Sequence, residues 1–163
     1  INGGQHRYGA GAGRIPARIH LSSVETGETS VSATVTPVAY EDASDEVRAV
    51  YDDIMSSRNI DFIPNVWRTL ASHPPTLARV WYGLKEVMAP GALDARTKEM
   101  IAVAVSATNG CEYCTRSHTR QARGHGMTEE MYGELMAVIG MFNQTNKLIE
   151  GYQVEVDEFL KEV

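Results

Sequence analysis

Cysteine is scarce in this chain of 163 residues: there are two, too few for a secreted disulfide scaffold. Positive charge is in deficit as well. Fifteen Lys and Arg stand against 21 Asp and Glu, a net charge of −6. That argues against a duplex nucleic-acid binder, which shows a basic stripe, and against docking on an anionic membrane by charge alone. No apolar run approaches the roughly 20 residues that a membrane-spanning helix needs. The start of the chain has no apolar h-region, so no signal peptide is read and a cytoplasmic protein is expected. Neither a second CxxC nor an HxxxH occurs. Nor does the chain alternate strands with helices, as a parallel-sheet protein would. What remains is ordinary in bulk, 43% hydrophobic and 22% charged. The length suits one domain with an appendage, and its core needs no metal or disulfide staple.

The chain divides near residue 35. Ile1–Arg14 holds five glycines (Gly3, Gly4, Gly9, Gly11 and Gly13) and little that could pack. Ser30–Tyr40, SVSATVTPVAY, reads as one short extended segment broken at Pro37, with no partner strand in its own chain. Residues 1–35 are therefore expected to be a flexible or extended head that lies across the domain or a neighbour. Residues 36–163 are expected to form an all-α domain, a compact bundle of about six to seven helices. Ser44 caps a first helix carrying Val47, Val50, Tyr51 and Ile54. Phe62-Ile63-Pro64-Asn65 opens a short second one, and Pro75 suits the first turn of a third, with Leu77, Trp81 and Leu84 on one stripe. Asp94 caps a fourth through Met100, Ile101, Ala104 and Val105, ended by Asn109-Gly110. A fifth runs from about Cys111 to Arg123. Thr128 starts a sixth, and residues 143–163 read as a last, separate amphipathic helix with Leu148, Tyr152, Val156 and Leu160 at intervals of four.

Ile101–Val105 (IAVAV) also fits a buried strand, which would place CxxC in a thioredoxin-like unit. The abundant alanine, the Asp94 cap and the lack of other strands favour the helix.

The chemistry concentrates in Cys111-Glu112-Tyr113-Cys114-Thr115-Arg116-Ser117-His118, a CxxCxxxH. At about 100° per residue, Cys114 lies about 60° from Cys111, and His118 about 20° from Cys111, all on one helix face. His118 is one turn beyond Cys114, within approach of its sulfur. The first turn of a helix stabilises a thiolate, and histidine can take the proton and hold the anion. A thiolate beside a second cysteine can become a sulfenic acid and then close a disulfide. Glu99, on the preceding helix, could face His118 or Cys111. As a residue type it reads more readily as exposed, beside Lys98, because charged side chains are seldom buried. Two alternatives compete at the cysteines: small core residues, or a zinc site in which Glu99 or His125 adds a fourth ligand. The redox reading needs neither metal nor cofactor. A c-type haem is excluded because Thr115, not histidine, follows the second cysteine.

Glu99, Cys111 twelve residues later, Cys114 and His118 together resemble the site pattern of the AhpD-like alkylhydroperoxidases, in the carboxymuconolactone decarboxylase superfamily. The flanks Phe62-Ile63-Pro64-Asn65, Gly91-Ala92-Leu93 and Ala104–Cys111 resemble its peroxidase-related branch. The resemblance covers about Asp42 to Asn146. It implies an all-helical fold assembled into homo-oligomers, and reduction of a hydroperoxide by the cysteine pair. It implies Cys114 as the attacking cysteine, Cys111 as the resolving one, and His118 with Glu99 as a proton relay. Electrons would come from a lipoyl or thioredoxin-type dithiol. One departure is Tyr113, a possible accessory residue, where well-studied members carry histidine between the cysteines; a phenol with a pKa near 10 is a poorer relay at neutral pH. Two other functions stay open: acid–base chemistry on a lactone-type small molecule by His118 and Glu99, and a non-catalytic, redox-sensing oligomer. The β-prone head and the apolar positions on the last helices predict a closed homo-oligomer with an even number of subunits, the head lying along a neighbour.

Overall fold

The structure, a computed structural model, describes residues 33–162. Residues 1–32, and with them most of the expected head, lie outside the described residues. Six α-helices follow in order: α1 (Asp45–Arg58), α2 (Asn65–Leu70), α3 (Pro74–Met88), α4 (Ala95–Thr108), α5 (Glu112–Gly124) and α6 (Glu129–Gly151). A single 3₁₀ turn, Glu158–Leu160, comes last. No strand occurs among the described residues, and IAVAV lies inside α4.

Side-chain caps set the helix starts. Ser44, Asp94 and Thr128 accept the N–H groups of Val47, Thr97 and Met131, three residues on, which satisfies donors that the first turn leaves free. Asn59 ends α1 in the left-handed region (φ 51°), its N–H on the carbonyls of Met55 and Ser56. Gly110, at φ 70°, makes the turn between α4 and α5, a conformation that costs glycine nothing.

Val47, Val50, Tyr51 and Ile54 of α1 pack with Trp67 and Ala71 around α2, and with Leu77 and Trp81 of α3. The two indoles meet edge to face, centroids 5.2 Å apart. Tyr51, Ile54, Leu77 and Val103 are fully buried, each contributing about 1.5–3 kcal/mol of transfer free energy. Residues 35–40 carry no regular secondary structure. Val38 donates its N–H to the Arg68 carbonyl and accepts from the Tyr51 hydroxyl, so this stretch is tied to α1 and α2.

Two expectations are corrected. The last helix is not separate: α6 runs unbroken through Asn143 to Gly151. Asn143 is held within it, its side-chain amide donating to the Ile139 carbonyl and to the Thr108 hydroxyl of α4. The helix ends instead at Gly151, with Tyr152 as its C-cap and Gln153 beyond it in the left-handed region at φ 50°. Tyr152, Val156 and Leu160 are exposed, with no packing to hold a further helix against the chain entropy. In α4, the apolar residues Ile101 and Val105 face outward, while Glu99, Val103 and Ser106 are buried. A helix rich in alanine leaves its orientation to its neighbour, and that neighbour is α5, the most extensive helix contact among the described residues.

Candidate functional site

Helices α4 and α5 form a tight hairpin, and the site sits along their contact. Its local architecture starts at Cys111. The Cys111 N–H bonds back to the Ser106 carbonyl at 2.9 Å, closing the turn. Cys111 then serves as the N-cap of α5, its sulfur accepting the Cys114 N–H at 3.3 Å. It therefore stands just outside the helix, whereas Cys114 is in its first turn. The two cysteines are disulfide-bonded, with Cα atoms 5.4 Å apart.

One turn further on, His118 meets Glu99 of α4: Nδ1 to Oε2 is 2.7 Å. A carboxylate only accepts hydrogen bonds, so Nδ1 carries the hydrogen and Nε2 is left as the basic nitrogen. Glu99 is 8% exposed. The reading of Glu99 as an exposed helix residue is thus overturned: the turn of α4 that puts Ile101 outside puts Glu99 inside. Burial of a carboxylate is costly unless it is paired, and His118 supplies the partner.

Tyr113, between the cysteines, is half exposed, and its hydroxyl accepts the Val66 N–H at the start of α2 at 3.5 Å. His125, considered as a fourth ligand, is the C-cap of α5, two turns beyond His118.

Glu99 and His118 open on a cavity of about 320 Å³. Arg58, Trp81, Lys85 and Gln121 also line it. Lys85 is paired to Asp53 at 2.8 Å, and the Trp81 indole N–H donates to the same carboxylate at 2.6 Å. Together, the Lys85 hydrogen bond first and then the indole, they hold the Asp53 carboxyl below its ordinary range. Arg58, the last residue of α1, packs against both indoles, its guanidinium carbon 5.6 Å from the Trp67 centroid and 5.4 Å from that of Trp81. Partial burial lowers its pKa, and the nearby Glu99 and Tyr113 oppose that shift. Arg58 was missed from sequence. The available signal was its register: 47, 51, 54 and 58 are successive positions on the buried face of α1, and a cation there is out of pattern.

The comparisons with known proteins concern the family and the fold. A model of the carboxymuconolactone decarboxylase family matches residues 74–154, which span α3 to the end of α6. A crystal structure of the alkylhydroperoxidase AhpD core from Rhodospirillum rubrum superposes with a TM-score of 0.71 at 45% identity, covering 78% of this chain and 96% of that one. Protein 4 in the cox locus of Paracoccus denitrificans is 46% identical over 54 residues, 33% of this chain and 49% of that protein; the match spans about half of that relative's length. Alkyl hydroperoxide reductase AhpD of Corynebacterium aurimucosum is 26% identical over 106 residues, 64% of this chain and 57% of that protein. The near-complete coverage of the Rhodospirillum rubrum core at this identity decides the assignment, and the chain belongs to the AhpD-like group of the carboxymuconolactone decarboxylase superfamily.

Proposed function

We propose that this protein reduces organic hydroperoxides with its cysteine pair, using a dithiol as the electron source and no metal or cofactor. One observation carries the reading: a partly buried Glu99–His118 pair one helical turn from the Cys111–Cys114 disulfide. In the reduced protein, His118 Nε2 takes the Cys114 proton, and the first turn of α5 steadies the thiolate. The thiolate attacks the outer peroxide oxygen. The O–O bond breaks, Cys114 becomes a sulfenic acid, and the alkoxide leaves as the alcohol with the proton held by His118. Cys111, as the N-cap, then attacks the sulfenic sulfur, and water leaves as the disulfide forms. A lipoyl or thioredoxin-type dithiol returns two electrons and two protons, regenerating both thiols. The sum is hydroperoxide plus dithiol to alcohol, water and disulfide. Glu99 acts through His118, fixing the tautomer and balancing the imidazolium.

The test is consumption of tert-butyl hydroperoxide by the pure protein with dihydrolipoamide or dithiothreitol, with Cys114→Ser as control. Turnover that depends on Cys114 is expected; equal turnover by the variant refutes the reading. The opening of the Glu99–His118 pair onto its own cavity favours one second reading, acid–base chemistry on a lactone-type small molecule. That activity would survive thiol alkylation, whereas hydroperoxide reduction would not.

A further inference from the structure

Two concavities meet at His118. The cavity described above shares the side chains of Leu84, Met88 and His118 with a second, apolar groove of about 490 Å³, lined also by Val87, Leu93, Ile101 and Val105. Both sizes fall in the range of small-ligand sites, about 300–1,000 Å³. The two ends differ in character. The groove is aliphatic, with the Lys98 ammonium at its rim turned to the carbonyls of Val87 and Ala89. The cavity holds three charged groups, Arg58, Lys85 and Glu99. Lys85 is neutralised by Asp53, and Glu99 is committed to His118. Arg58 differs from both: among the described residues it has no hydrogen-bond or ion-pair partner, and its guanidinium is held against two indoles. A partly desolvated guanidinium without a partner has its donors in a fixed fork that suits a carboxylate.

We propose that the hydroperoxide reduced at this site bears a carboxylate and a long alkyl chain: the carboxylate is bound by Arg58, the chain lies in the Val87–Leu93–Ile101–Val105 groove, and the hydroperoxide is carried at mid-chain, beside His118. This inference rests on the hydroperoxide-reductase reading. A ligand that occupies both concavities lies along the side chains they share, Leu84, Met88 and His118. A chain with its peroxide at the far end would carry the O–O bond past the imidazole. Burial lowers the Arg58 pKa, and a bound anion relieves that cost.

Two measurements test the proposal. The first needs no turnover. Trp67 and Trp81 are the only tryptophans of the chain, and Arg58 touches both, so their fluorescence reports an anion on the guanidinium. Decanoate should titrate the emission saturably, while acetate and decan-1-ol at equal concentration should not. Arg58→Met should abolish the decanoate response and Arg58→Lys should keep a weaker one, with circular dichroism showing both variants folded. Equal responses to decanoate and decan-1-ol in the wild type would overturn the proposal without recourse to a variant. The second measurement compares a mid-chain fatty-acid hydroperoxide with its methyl ester in one nonionic detergent, with dithiothreitol as reductant. The free acid should be favoured by about tenfold or more in kcat/KM, mostly through KM, since the carboxylate is remote from the reacting bond. Arg58→Met should erase that preference. Turnover of acid and ester at equal rates overturns the inference and leaves the reductase reading intact. Absence of thiol-dependent turnover of any hydroperoxide, tert-butyl hydroperoxide included, overturns the reductase reading, and the decanoate titration then still decides the Arg58 site.

Discussion

Replacing Glu99 with glutamine tests whether the buried carboxylate works through His118. The change keeps the shape and an oxygen that can accept the Nδ1 hydrogen, and removes the negative charge. At 2.7 Å, with Glu99 only 8% exposed, the hydrogen bond is of the charge-assisted kind that contributes about 1.5–3 kcal/mol. Solvent screens little of it. The imidazolium formed when His118 takes the Cys114 proton needs the charge; the neutral imidazole needs only an acceptor. The loss therefore falls mainly on the step in which the thiolate forms. Glu99→Gln should slow oxidation of the reduced protein by about 10- to 150-fold, from 1.4 kcal/mol per tenfold in rate. The assay is a single turnover of pre-reduced protein with tert-butyl hydroperoxide, quenched with acid and read as remaining free thiols. The double variant Glu99→Gln/His118→Gln supplies the coupling: it should be no slower than His118→Gln alone. A Glu99→Gln protein that oxidises within about twofold of wild type refutes the argument. So does additive loss in the double variant, which would give Glu99 a role independent of the histidine.

Cys111→Ser should leave Cys114 able to react once and unable to close the disulfide. Dimedone should then trap a sulfenic acid on Cys114; trapping none would remove it as the attacking sulfur. Asp53 contributes stability in a definite pH window. Its folded carboxyl lies below the ordinary value through Lys85 and Trp81, so its contribution is complete above the unfolded pKa of about 3.9 and is lost as pH falls through the folded value. The urea midpoint of wild type should thus fall more steeply on acidification below about pH 5 than that of Asp53→Asn; parallel curves would contradict this. Val138, Met141, Phe142 and Ile149 leave an apolar surface on α6, and self-association should cover it. Sedimentation equilibrium should give a homo-oligomer with an even number of subunits, and Phe142→Glu should shift it toward monomer. A monomeric wild-type protein rejects the claim.

What could be read in the sequence was what is local. The caps at Ser44, Asp94 and Thr128 bind N–H groups three residues away, so a few neighbouring residues decide them. The one-turn spacing of Cys114 and His118 follows from helix geometry inside α5, whereas Cys111, expected in the same first turn, stands just outside the helix as its N-cap. Glu99 was not readable in the same way. Its burial is set by the rotation of α4 about its own axis, and alanines at 95, 102, 104 and 107 give that rotation no strong sequence mark. Arg58 required the packing of α1 on α3, which brings together residues 23 apart in the chain when it meets Trp81. Asn143, read as the start of a separate last helix, lies inside α6, although asparagine is a poor interior residue. Its side chain finds two acceptors inside the fold, one of them on α4, and that tertiary contact outweighs the local preference.

The unbroken α6 has a consequence for how the chain breathes. At 23 residues and 1.5 Å each it is about 34 Å long, yet none of its residues is buried among the described ones. Its main attachment is to α4, through a contact much smaller than that between α4 and α5, with Arg123 of α5 reaching Glu129 and Tyr132. Most helical stability in a protein comes from tertiary packing, and α6 has little of it, so in a single chain α6 should open well below the free energy of global unfolding. Its amide hydrogens should exchange with deuterium earlier than those of α4 and α5 in dilute protein, and their protection should rise with protein concentration as the outer face is covered.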